Sequence, residues 1–406
     1  MASIEQIRLD FPVLDQQVNG SPLIYFDNAA TTQKPKVVLD ALNKYYSEDN
    51  ANIHRGIHAL AERATAAFEL TRKKIQSFLH AESSDQIIFT SGTTASINLV
   101  AQTYGRANFE AGDKILVSNL EHHSNIVPWQ MIALEKGAEV MVIPVLDSGV
   151  LDLDAYQKLL QENTVKLVAV NHVSNAIGTI NPIQEMIALA HAHGAKILID
   201  GAQSVAHMEM DVQRFDMDFF AFSAHKLFGP TGVGVLYGKR DLLESMPPYQ
   251  GGGEMIKEVS FSGTTYNELP YKFEAGTPNI ADVIAFSASF DYLNSLEKGW
   301  VEEQENALLS YATEQLSQID GLKIIGTAPN KIAVVSFLIE GTHPQDIGVL
   351  LDKFGIAIRT GHHCAQPLMQ RFDIPGTCRA SFSFYNTKEE IDRLVACLKR
   401  VVTMLL

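Results

Sequence analysis

The sequence predicts an α/β protein with a large domain on a mainly parallel seven-stranded sheet and a smaller α+β domain. Three observations predict it. Short apolar runs alternate with amphipathic stretches from about residue 85 to 240. That is the pattern of strand–helix–strand units with helices on both faces of a sheet. Composition then shifts after Tyr237, and from about residue 320 short strand and helix patterns are mixed. The boundaries expected are 21–295 for the large domain, and 1–20 with 296–406 for the small one.

The expected strands of the large domain are Ile87 to Thr90, Lys114 to Ser118, Glu139 to Pro144, Lys166 to Val173, Lys196 to Asp200, Asp218 to Ser223 and Val233 to Tyr237. Each is a short apolar run bounded by turn residues, as a strand buried on both faces should be. Pro182 to His193 reads as an amphipathic helix between two of them. The last run follows the Gly229–Pro230 turn so closely that an antiparallel strand is expected there. Residues 246–280 are rich in Gly, Pro and Thr and read as long loops; 281–318 read mainly as helix. Beyond lie strands near Lys323 to Ile325 and Ile332 to Leu338, and a helix near Pro344 to Phe354. Further strands near Ile356 to Thr360 and Cys378 to Phe384 precede a last helix from Lys388. The first twenty or so residues are expected to pack on the small domain. No repeat or low-complexity tract interrupts the pattern.

The chain has 406 residues, 46% hydrophobic and 19% charged, enough to bury a core without covalent staples. With 32 basic against 47 acidic residues, the net charge of -15 argues against nucleic acid or an anionic membrane as main partner. Three cysteines (Cys364, Cys378, Cys397) imply no disulfide framework. The N-terminal stretch MASIEQIRLDFPVL has no basic region followed by a long apolar run, and no apolar stretch reaches the length of a membrane span. A cytoplasmic protein is expected.

The chemistry begins with one lysine. Residues 218–226 read DFFAFSAHK, so Lys226 follows the end of a buried strand. Asp200 ends another, KILID. Open parallel sheets bind ligands at the carboxyl ends of their strands. Alone, Lys226 reads as a solvated loop residue and Asp200 as a helix N-cap. Together they are the pair that pyridoxal phosphate needs: a lysine for the aldehyde and a carboxylate to keep the ring nitrogen protonated. Ser91–Gly92–Thr93–Thr94 follows a strand and opens a helix, which makes either an anion site or an ordinary cap. Ser223 and His225 could add donors to the same phosphate. His122, with His123, could stack on a ring, bind metal, or sit in a surface loop. Gln203 and Asn175 follow strand ends and could reach the same crevice.

Two further features lie late in the chain. In RTGHHCA, Cys364 is flanked by His362 and His363 and lies near Arg359, a setting that favours a thiolate nucleophile. A lone cysteine is also often a small buried hydrophobe. The adjacent histidine pairs lack structural zinc spacing, so no metal is expected. Cys378 and Cys397 read as core. Arg379, inside the strand TCRASFSF, needs a carboxylate partner: a substrate carboxylate or a structural acid.

These segments resemble the group II cysteine desulfurases, of the SufS type, in the class V aminotransferase group of fold-type I pyridoxal-phosphate enzymes. The resemblance runs close to full length. It rests on YFDNAATTQKP, NIHRGIH, SGTTASIN, EHHSNIVPW, HVSNAIGT, DGAQ, SAHKLFGPTG, FEAGTPN, RTGHHCAQP and CRASFSFYN. The short RTGHHCA loop is the group II form. The resemblance implies that Lys226 carries the Schiff base. Asp200 would pair with the ring nitrogen and Gln203 with the phenolic oxygen. His122 would stack on the ring and assist catalysis. Thr93, Thr94, Ser223 and His225 would hold the phosphate, joined by Thr277 across a homodimer. Arg379, with Asn175 and Arg359, would hold the substrate carboxylate, with His54 and Arg55 lining the cleft near the dimer interface. Cys364 would take sulfur from L-cysteine as a persulfide, releasing L-alanine. It would then pass the sulfur to a SufE-like or SufU-like acceptor that feeds an iron–sulfur cluster assembly scaffold. Cleavage of L-selenocysteine to alanine and selenide is implied as a further activity. A selenocysteine-dedicated lyase and a kynureninase-like hydrolase are the competing reactions on this scaffold; the second needs no thiol. A scaffold without activity is a third reading, against which the intact Lys226, Asp200, Arg379 and Cys364 argue.

Overall fold

The computed structural model describes residues 3–406. Seven strands form the central sheet: β1 (Ile87–Thr90), β2 (Lys114–Ser118), β3 (Glu139–Ile143), β4 (Val165–Asn171), β5 (Lys196–Asp200), β6 (Phe219–Ser223) and β7 (Gly234–Gly238). Their spatial order is β1–β7–β6–β5–β4–β2–β3. Only β7 runs antiparallel to its neighbours, as the tight turn before it requires. Observed bounds lie within two residues of the expected ones. The long run at 166–173 ends as a strand at Asn171 because the His172 N–H turns to the Asp200 carbonyl (2.9 Å).

The strands are apolar on both faces because helices cover both. Phe220 and Phe222 of β6 enter one core cluster with Ile197 and Val168, while Phe219 and Ala221 enter the opposite one with Leu198 and Leu167. Helix punctuation follows the residues. Asp152 caps Leu153–Glu162 by accepting the Ala155 N–H (2.9 Å), Gly137 in the left-handed region ends Val127–Lys136, and Thr387 with Glu390 forms a capping box for Lys388–Leu405. No described helix is long and apolar enough to cross a membrane.

The small sheet contains β8 (Leu322–Ile325), β9 (Val334–Ile339), β10 (Arg359–Gly361) and β11 (Thr377–Ser381), in the antiparallel order β8–β9–β11–β10. Four expectations need correction. The expected strand from Ile356 to Thr360 is two: Ile356–Ala357 pairs in parallel with Ile24–Tyr25, and the chain then turns so that Arg359 pairs with Arg379. Ile24–Tyr25 therefore joins the small-domain layer. The expected strand from Cys378 to Phe384 ends at Ser381, whose N–H bonds the Phe26 carbonyl (2.8 Å). Residues 246–280 are not loop throughout: Ile256–Ser260 and Gly263–Tyr266 form an antiparallel hairpin. Its residues are half-buried or exposed, so it carries no apolar alternation to read. Finally, the N-terminal segment packs at the seam of both domains. Phe11 lies edge-on to Tyr292 and Phe228 of the large domain and against Phe384 and Tyr385 of the small one.

The sheet also brings two backbone segments into close approach at the end of β1. β7 crosses under the turn that leaves β1, and a Cβ on Gly234 would meet Gly92 Cα at 2.3 Å. Only glycine allows that approach. Gly234→Ala is therefore expected to push the turn outward and destabilise the fold by about 1 to 3 kcal/mol, read as a lower urea midpoint.

Candidate active site

The carboxyl ends of β1, β4, β5 and β6 open onto a cavity of about 250 Å³. Twelve of the expected site residues line it: Thr93, Thr94, His122, Asn175, Asp200, Gln203, Ser223, His225, Lys226, Arg359, Cys364 and Arg379. His54, Arg55 and Thr277 do not line it. His54 bonds Glu69 (3.0 Å), Arg55 pairs with Glu254 (3.2 Å), and Thr277 is exposed.

Asp200 ends β5 in register with Asn171 and Ala221, which fixes its depth. Burial pushes its carboxyl pKa up, while the Ala202 N–H (2.9 Å to Oδ1) and Lys226 oppose that shift. That is the only hydrogen bond its carboxylate makes among the described residues. Lys226 sits in the turn after β6, at the cavity. Burial pulls its ammonium down to about 8, against the attraction of Asp200. The turn is held by the His225 carbonyl, which accepts from Thr31 Oγ1 (3.0 Å), Thr32 N (3.1 Å) and Lys34 Nζ (2.8 Å).

At the turn after β1, Ser223 Oγ meets Thr93 N (2.8 Å) and Thr93 Oγ1 (2.7 Å) at the start of the helix Thr93–Val100. Helix N-H groups and two hydroxyls are suited to a phosphate dianion. Above β2, His122 is held by Ser124: Nδ1 accepts the Ser124 N–H (3.1 Å) and lies 2.8 Å from its hydroxyl. The ring proton then belongs on Nε2. Burial, reinforced by Lys226, lowers His122 to about 4, so the ring is neutral near pH 7. The turn below it is tied by Asn125 to Glu121 (2.7 Å) and by Trp129 to Asn125 (2.9 Å). Gln203 donates to the Ala29 carbonyl (2.8 Å).

The small domain brings in the rest. Cys364 is exposed at the cavity, in a loop where His363 and Cys364 both have φ of 54°. Two consecutive non-glycine residues in the left-handed region need external support. Asn175 Nδ2 donates to the His363 carbonyl (2.7 Å), His123 N–H donates to the Cys364 carbonyl (2.8 Å), and Gln366 N–H donates to His123 Nε2 (3.1 Å). Arg379 is buried and donates to the Asn175 carbonyl (2.7 Å) and Asp27 Oδ1 (2.9 Å), with Nε left unpaired. Arg359, half exposed, grips the same Asp27 through Nε (3.1 Å) and Nη2 (3.0 Å).

Asp27 carried no role in the sequence reading, and the contacts that His123 and His363 make with the cysteine loop were not anticipated there. Asp27 stands inside YFDNAATTQKP, a segment legible only by resemblance. Asn175 lines the cavity while one of its two amide hydrogens is engaged with the cysteine loop. Cys378 and Cys397 are buried in the small-domain core. Among the described residues, no three His, Cys, Asp or Glu side chains converge as metal ligands would.

The chain matches the family profile described as aminotransferase class-V over residues 24–394, and it belongs to that family. Within it, the chain falls among the cysteine desulfurases. It is 52% identical over 400 residues to a cysteine desulfurase of Synechococcus elongatus, covering 98% of this chain but only 64% of that longer protein. It is 50% identical to the cysteine desulfurase of Dickeya dadantii, covering 99% and 97% of the two chains. The apo cysteine desulfurase of Thermococcus onnurineus superposes with a TM-score of 0.94 at 40% identity, covering 100% and 99%.

The depressed Lys226 pKa gives a direct expectation. An aldehyde reagent should label Lys226 of the cofactor-free protein with a pH midpoint of about 8. Surface lysines should titrate near their ordinary value of about 10.4. Peptide mapping across pH checks it; a Lys226 midpoint with the surface lysines would contradict the burial argument.

Proposed function

We propose that the protein is a cysteine desulfurase: it converts L-cysteine to L-alanine and keeps the sulfur on Cys364 as a persulfide. The observation that carries this reading is that Lys226, Cys364 and the Arg359–Arg379 pair share one cavity. The residues fit pyridoxal phosphate. Asp200 offers a buried carboxylate to the ring nitrogen, His122 a neutral ring to its face, and Gln203 an amide to its oxygen. Thr93, Thr94, Ser223 and His225 offer donors to the phosphate. When bound, that cofactor supplies an electron sink for charge developing at the substrate Cα.

The chain's own residues do the remainder. Arg379, through its unpaired Nε, and Arg359, through the edge of its guanidinium that Asp27 does not occupy, hold the substrate carboxylate. The Lys226 amine, substantially neutral near pH 8, takes the Cα proton. His122 relays protons through Nε2. Cys364 Sγ, as thiolate, attacks the substrate sulfur; the S–S bond forms as the C–S bond breaks, and the electron pair leaves with the carbon fragment. Protonation of that fragment yields alanine. The persulfide requires a second nucleophile to remove it. We assign that role to a SufE-like or SufU-like acceptor protein serving iron–sulfur cluster assembly.

A homodimer belongs to the same reading. Thr277, His54 and Arg55 stand outside the cavity of their own chain, as residues serving a partner's cavity would. L-selenocysteine fits the same contacts and is proposed as a second substrate. Its C–Se bond is weaker, so it needs less help from Cys364.

The test is alanine release from L-cysteine by wild type, Cys364→Ala and Lys226→Ala. Cys364→Ala should lose roughly 100-fold or more of cysteine turnover while keeping the cofactor's absorbance and selenocysteine turnover. Lys226→Ala should lose both turnovers. Full cysteine turnover in Cys364→Ala would overturn the persulfide assignment.

A further inference from the structure

Among the described residues, Asp27 is the one acid within hydrogen-bond reach of both cavity arginines. It is fixed from behind: Ala30 N–H bonds its carbonyl (3.0 Å), the Ser381 N–H bonds the adjacent Phe26 carbonyl (2.8 Å), and Ala29 N–H bonds Ser381 Oγ (2.9 Å). These bonds fix the backbone at Asp27, and the two arginines hold its carboxylate. Oδ1 takes Arg379 Nη2 at 2.9 Å and Arg359 Nε at 3.1 Å; Oδ2 takes Arg359 Nη2 at 3.0 Å and Nε at 3.1 Å. The two-toothed face of Arg359, the geometry best suited to a carboxylate, is therefore already filled from within the chain.

The charges follow. Two guanidiniums and one carboxylate leave a single positive charge in this corner of the cavity. Arg379 is buried, so its charge is poorly screened, and its unpaired Nε is a donor that an incoming carboxylate would satisfy. A corner of charge +1 matches an amino acid with one carboxylate. A second carboxylate on the substrate's side chain would enter a cavity lined by Asp200, next to arginines that Asp27 already partners from outside the lining.

We propose that Asp27 is a positioning residue that sets substrate charge: it holds the arginine pair and cancels one of its charges. The pocket then selects amino acids with one carboxylate over dicarboxylates. This rests on the carboxylate-binding role given above to Arg379 and Arg359. Asp27 touches the arginines and takes no part in bond making.

The experiment measures binding to the holoenzyme, by cofactor absorbance, of L-alanine and L-aspartate. The proteins are wild type, Asp27→Asn, Arg359→Gln and the double variant. Asp27→Asn raises the local charge to +2 and should shift the ratio of the two dissociation constants about 10-fold or more toward aspartate. Arg359→Gln, at a half-exposed site, lowers the charge to zero and should weaken L-alanine binding about 10-fold. The double variant restores +1 and should return both constants to within about threefold of wild type. An unchanged ratio in Asp27→Asn overturns the proposal, as does a double variant no better than Arg359→Gln. If Asp27→Asn does not fold, the double variant still decides: folded and restored supports charge balance, and unfolded assigns Asp27 a structural role only. Failure of wild type to turn over L-cysteine would instead defeat the functional reading on which the proposal rests.

Discussion

A single buried arginine joins the two halves of the site. Arg379 belongs to β11 of the small domain, yet its guanidinium bonds the Asn175 carbonyl beyond β4 of the large domain and Asp27 on the connecting N-terminal corner. A buried guanidinium with a lost partner costs several kcal/mol, so these bonds fix the domains relative to each other. Asn175 extends the link, because its amide holds the His363 carbonyl one residue before Cys364. The position of the thiol relative to Lys226 thus depends on this short chain of hydrogen bonds, together with those that His123 makes to the Cys364 carbonyl and the Gln366 N–H.

The sheet contributes a different kind of order. Its strand register places Asp200 and Asn171 level, and the turn after β6 projects Lys226 toward the same opening. Burial does the chemical tuning: it lowers Lys226 to about 8 and His122 to about 4 while raising Asp200. Each shift moves the group toward its neutral form, as low dielectric requires. For the lysine that means a usable base near neutral pH. For the histidine it means a ring that can stack without carrying charge. For Asp200 the cost persists until a cationic partner faces it.

Much of this was legible in the sequence. Buried strands ending in functional residues announce themselves as apolar runs, and β1, β2 and β5 fall on the expected residues. Lys226, Asp200 and the SGTT turn were readable because each sits at a strand end. Asp27 was not: it lies 332 residues from Arg359 and 352 from Arg379, and no local pattern links positions so far apart. His123 was hidden for a similar reason, since its contribution is made to a loop 243 residues away. The exposed hairpin at 256–266 was missed because a strand without a buried face has no periodicity. The split at Ala357 was missed because each half pairs with a different strand.

The central claim is that this seam delivers Cys364, and neither of the other two cysteines, to the substrate sulfur. The most direct measurement is peptide mass mapping of the holoenzyme after brief reaction with L-cysteine in the absence of an acceptor. The account predicts one added sulfur atom on the peptide carrying Cys364 and none on those carrying Cys378 and Cys397. Sulfur on either buried cysteine, or alanine formed with no sulfur on Cys364, would contradict it.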